Sequence, residues 1–222
     1  MKIALISVAP PYRGGISKHT SILAEKLSLY HSIDIINYKR QYPNILFPGR
    51  TQYIESISNF NSEDMLIDTI NPVSWYKTAN IIVSRKYDLV IFRFWNPYFS
   101  LSLGVIARIL KKYSPQTKLI SLCDNIIPHE KLLFTNLFIK FLFNKLDGHI
   151  VQSTQTEKEL KKIIVSPKYQ KTFHPLYNTY KEKINKHEAI KQLKLKSENI
   201  ILYFGIIRDY KGLDILIKSL EI

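Results

Sequence analysis

The feature that most constrains the fold is the order of its apolar segments. Short strand-like runs alternate with amphipathic stretches along most of the chain. Lys2–Val8 reads as a buried-type strand, Ile16–Tyr30 carries Ile16, Leu23, Leu27 and Tyr30 at helical spacing, and Ser32–Tyr38 returns to a strand pattern. The alternation continues with a helix over Pro72–Lys86, a strand over Tyr87–Phe94 and a helix over Tyr98–Tyr113. It goes on with a strand over Thr117–Leu122, a helix over Glu130–Leu146, a strand over Gly148–Gln152, a helix over Thr154–Ile164 and a short strand over Tyr169–Phe173. Strands separated by helices form a parallel sheet with crossover connections, so the sequence predicts an α/β, doubly wound domain over residues 1–175. Lys39–Asn71 has no strong period and reads as a long loop with at most one short helix or hairpin. Residues 176–199 read as a linker with a short helix over Lys186–Leu195, and 200–222 as a strand over Ile200–Phe204 followed by a helix over Leu213–Leu220.

With 222 residues, 45% of them hydrophobic, the chain can bury a sizeable core. Its single cysteine, Cys123, rules out an internal disulfide and fits a reducing, cytoplasmic compartment. No run approaches the roughly 20 apolar residues of a spanning helix. The net charge is +14, spread along the chain without a basic tail. That surplus suits phosphorylated substrates or acidic lipid headgroups, or is simply a lysine-rich surface. No nucleic-acid motif accompanies it, so nucleic acid is not expected as a partner. Large apolar residues surround the axis of Leu132–Leu146, which predicts either a helix buried between layers or one lying on a membrane beside Lys131, Lys140 and Lys145.

Polar groups gather where the strands end. Ala9–Thr20 places Gly14 and Gly15 directly before the first helix, as a tight turn or as a cradle open to a ligand. Phe92–Tyr98 puts Arg93 and Trp95 at the same edge, Trp95 either stacking on a sugar or packing under the next helix. Cys123–Glu130 crowds Asp124, Asn125, His129 and Glu130 into eight residues. A histidine there can exchange a proton near neutral pH, and Glu130 suits either a ligand or the first turn of a helix. No spacing completes a metal site, and none is expected. At the far end, Gly205, Arg208 and Lys211 lie between the predicted strand and helix. This arrangement suits a phosphate.

These segments resemble the group-one glycosyltransferases, retaining enzymes of the GT-B fold built from two Rossmann-like domains. The resemblance rests on PYRGGIS at 11–17, CDNIIPHE at 123–130, FHPLYNTY at 173–180 and YFGIIRDYKGLDILIKSL at 203–220. It implies transfer of a sugar from a nucleotide-sugar donor to a glycan or lipid-linked acceptor in surface polysaccharide synthesis, without a metal or other cofactor. Asp124 and His129 would be catalytic. Gly14, Gly15, Trp95, Asn125 and Glu130 would contact substrate, and Gly205, Arg208 and Lys211 the donor phosphates. Asp124 stands where many members carry histidine, and Ile206 where many carry arginine. On this reading the chain is a truncated, acceptor-side half at the inner face of the membrane, inactive alone or completed by a partner chain. The competing reading is a basic module that binds anionic lipid or nucleic acid.

Overall fold

A computed structural model describes residues 1–43, 51–54, 64–127, 134–177, 182–205, 207 and 211–220. They fall into two compact units, Met1–His174 and Pro175–Ile222.

The first unit is an α/β, Rossmann-like doubly wound fold. Its elements run β1 (Lys2–Ile6), α1 (Gly15–Ser28), β2 (Ser32–Arg40), β3 (Met65–Asp68), α2 (Pro72–Arg85) and β4 (Leu89–Phe94). A 3-10 turn (Pro97–Phe99) leads into α3 (Ser100–Tyr113), followed by β5 (Lys118–Cys123), α4 (Thr135–Phe143), β6 (Gly148–Val151), α5 (Thr154–Ile163) and β7 (Tyr169–Lys171). Among the described residues the seven strands are all parallel, in the order β3-β2-β1-β4-β5-β6-β7. The chain therefore leaves β1 in one direction and resumes beside it with β4 in the other. The crevice at the carboxyl ends of β1 and β4 is where folds of this kind hold ligands.

The period-two alternation of strand side chains sorts the core into two layers. Ala4, Ile6, Val90, Phe92 and Phe94 join the larger cluster, with Trp75 and Ala79 of α2, Leu103 and Ile106 of α3, and Ile139 and Leu142 of α4. Ile3, Leu5, Ile91 and Leu122 form the smaller cluster under Leu23 and Ala24 of α1. Local sequence explains the helix boundaries. Asn71 caps α2 by accepting from the Val73 amide, with Pro72 in the first turn, and Lys86 ends it in the left-handed region. Ser153 caps α5 through the Thr156 amide.

Three expectations change. Where the sequence predicts at most one short helix or hairpin, the loop Lys39–Asn71 contains β3, a four-residue strand paired in parallel at the sheet edge and too short to show a period. The predicted helix from Glu130 is described only from Thr135, and it buries one side: Ile139, Leu142 and Phe143 face the core while Leu137 and Phe138 are exposed. Residues Ile200–Phe204 form no strand in the second unit, because no neighbour pairs with them there among the described residues. That unit contains α6 (Lys186–Gln192) and α7 (Leu213–Lys218), neither with a buried residue.

Candidate active site

The loop after β1 is held from below. Asn37, buried on β2, receives the Ala9 amide on Oδ1 and donates from Nδ2 to the carbonyls of Ala9 and Pro10. Pro10–Pro11 is a cis peptide. Residues 51–54 flank the loop: the Arg13 amide donates to Gln52 O at 2.9 Å, the Ile54 amide to Pro11 O at 2.8 Å, and the Tyr12 and Tyr53 rings lie 5.0 Å apart. The chain then turns into α1 through Gly14, whose φ of 118° is a conformation that side chains avoid. A Cβ built on Gly14 or Gly15 meets nothing within 4 Å, so open space lies over both. Among the described residues no side chain caps α1, and its first turn holds no acid. Its free amides and positive dipole end meet that space.

Beside this loop, the alternation of β4 turns Arg93 to the same face as Ile91, toward α1. Arg93 is 1% exposed and grips Asp124 with two bonds, Nε to Oδ2 at 2.8 Å and Nη2 to Oδ1 at 2.7 Å. Asp124 is placed by its own amide on Phe94 O, and Thr156 Oγ1 donates to its carbonyl. The remaining Arg93 nitrogen, Nη1, donates to Nδ1 of His19. A guanidinium only donates, so the His19 proton sits on Nε2. Burial, then Arg93, then His174 push the His19 pKa down to about 4, against a smaller opposing pull from Asp124. The ring is therefore neutral at pH 7. His174 lies against it, with centroids 4.8 Å apart, and is itself exposed. Ser7, the residue after β1, and Thr20 on α1 share a 2.6 Å bond that ties the helix to the end of the strand.

Of the residues expected from sequence, Gly14, Gly15 and Asp124 meet at one edge of the sheet, and Asn125 is exposed next to Asp124. Trp95 sits in an aromatic cluster: its ring centroid is 4.4 Å from that of Phe99, and Nε1 donates to Tyr42 Oη at 3.2 Å. His129, Glu130 and Arg208 lie outside the described residues. Gly205, with φ 135°, and Lys211 belong to the second unit, where the Lys211 ammonium occupies the place a Gly205 side chain would take. Among the described residues, no group of three or more His, Cys, Asp or Glu is arranged to hold a metal ion. None of the described helices is long and apolar enough to cross a membrane.

Sequence reasoning missed His19, Asn37 and His174. His19 has a visible signal, since it lies on the core stripe of α1 with Ile16 and Leu23. Asn37 likewise interrupts an apolar strand. The pairing of Arg93 with Asp124 joins residues 31 positions apart and follows from register alone. The chain matches no known protein-family model and no curated protein.

Proposed function

We propose that this chain is the acceptor-side part of a glycosyltransferase that uses a nucleotide-sugar donor, with surface polysaccharide synthesis as its setting. The observation that supports this reading is the convergence at the β1–β4 crevice. An open glycine turn, an uncapped helix start and a buried Arg93–Asp124–His19 group stand together there. The amides of α1 offset negative charge that grows on a departing diphosphate, the kind of preorganised stabilisation that dominates many enzymes. Both Asp124 oxygens are engaged by Arg93, so its carboxylate braces this edge of the sheet. In the second unit, Arg208 and Lys211 are assigned to the donor pyrophosphate.

Calorimetric titration with a panel of uridine, guanosine, adenosine and thymidine diphosphate sugars tests the reading, alongside transfer of radiolabelled sugar to an envelope lipid or glycan extract. Gly15→Asp is the diagnostic variant. Its side chain enters open space and an acid in the first turn stabilises α1 by about 0.3–1 kcal/mol, yet it repels an anion. Binding of one nucleotide sugar, weakened at least tenfold in a Gly15→Asp protein that is no less stable, is the expected result. A wild-type chain that binds no nucleotide sugar and transfers none sinks the assignment.

A further inference from the structure

A cavity of about 640 Å³ opens beside α2, α3 and α4, lined by Ile70, Trp75, Pro97, Tyr98, Leu101 and Phe138 among others. Its volume lies within the roughly 300–1,000 Å³ of small-molecule sites. The lining is overwhelmingly apolar. The polar atoms on its wall already have partners: Thr69 Oγ1 bonds Gln41 O and Tyr98 Oη, and Trp75 Nε1 donates to Asp68 O. A peptide laid there would leave its own N–H and C=O groups without partners, at a cost of about 1–3 kcal/mol each. A hydrocarbon chain has no such groups.

The charge at the mouth is equally selective. Three helices begin at this cavity, and Pro72 of α2, Leu101 of α3 and Thr135 of α4 line it from their first turns. None of the three carries an acid in its first turn. Their positive ends favour an anionic group at the opening. The net charge of +14 has the same sign. Phe134 (70% exposed) and Leu137 (64%) extend the apolar surface outward from the start of α4.

We infer that this cavity takes the hydrocarbon chain of a phosphate-headed lipid, which makes the acceptor lipid-linked. The acceptor role rests on the transferase reading; the binding of the chain does not.

Calorimetry with dodecyl phosphate below its aggregation concentration tests this on the whole 222-residue chain. One saturable site is expected, weakened at least tenfold by Leu101→Glu and by Phe138→Glu. Both side chains are partly exposed on different helices, and circular dichroism reports whether each variant keeps its helices. Dodecyl maltoside, with the same chain and no charge, is expected to bind at least tenfold more weakly, and inorganic phosphate alone not to compete. A dodecyl phosphate with a terminal diazirine is expected to label Ile70, Trp75, Leu101 or Phe138 in the unaltered protein, which does not depend on any variant folding. Absence of saturable binding, labelling confined to other residues, or folded glutamate variants that bind as wild type overturn the inference. So does sedimentation with phosphatidylglycerol vesicles without binding of the monomeric lipid, which assigns the surface to a bilayer face. Sugar transfer to a soluble glycan without lipid binding overturns this inference and leaves the transferase reading intact; lipid binding without any nucleotide-sugar binding does the reverse.

Discussion

At the scale of single residues, the buried ion pair and the buried imidazoles give the sharpest expectations. Arg93 is compensated by Asp124 and by the His19 ring, so truncating one partner strands a charge away from water. Asp124→Ala is expected to cost about 3–5 kcal/mol in urea unfolding. Replacing both, with Arg93→Met and Asp124→Leu, is expected to cost less than that single change, because no charge is left behind. A double variant as destabilised as the sum of its singles contradicts this account. His19 and His149 both have pKa values lowered to about 4, each mainly by burial. His149 is further fixed by the hydroxyl of Ser121 at 2.8 Å. Unfolding restores a value near 6.5, so between pH 6.5 and 4 the unfolded chain binds protons that the folded chain refuses. Stability present above pH 6.5 is therefore lost as pH falls through that window, by on the order of 1–3 kcal/mol per ring. Urea midpoints at pH 7.5 and 5 measure the loss, and His149→Gln is expected to flatten part of the slope.

At the scale of elements, α3 and α4 meet through Gly104. A Cβ there would lie 2.4 Å from the Phe141 ring, which is itself covered by the Arg108 guanidinium at 3.4 Å from the ring centroid. Arg108 also donates to the carbonyls of Gly104 and Phe141, so the ring has little room to retreat. Gly104→Ala is expected to lower stability by about 1–3 kcal/mol, despite alanine's better helix propensity of about 1 kcal/mol. Adding Phe141→Leu is expected to recover part of the loss, read from thermal midpoints. The elements themselves were largely legible. Strands β1, β4 and β5 are apolar runs bounded by polar turns, and α2 carries its own cap. What failed to show was β3, whose four residues pair with β2 through shifted register. The helix face at α4 was equally hidden. Its apolar residues point in several directions, and only packing against the sheet decides which are covered.

At the scale of the whole molecule, the first unit holds the buried core and the second holds almost none. Ile201, Leu202 and Phe204 are 61%, 78% and 93% exposed. Hydrogen exchange is expected to protect the amides of β1, β4 and β5 for longest, and to leave Ile200–Phe204 close to unprotected. Strong protection of that segment in a monomer contradicts the description of the second unit. The sequence by itself determined the α/β class and most strand and helix positions, because hydrophobic period and turn residues act over a few neighbours. It also marked Gly14, Gly15 and Asp124, since polar residues at strand ends are visible in one dimension. Only the tertiary structure decided that β4 returns to lie beside β1, that Arg93 reaches both Asp124 and His19, and that three helix starts enclose an apolar cavity. Those relations join residues tens of positions apart, and strand register and layer packing, which no local pattern encodes, bring them together.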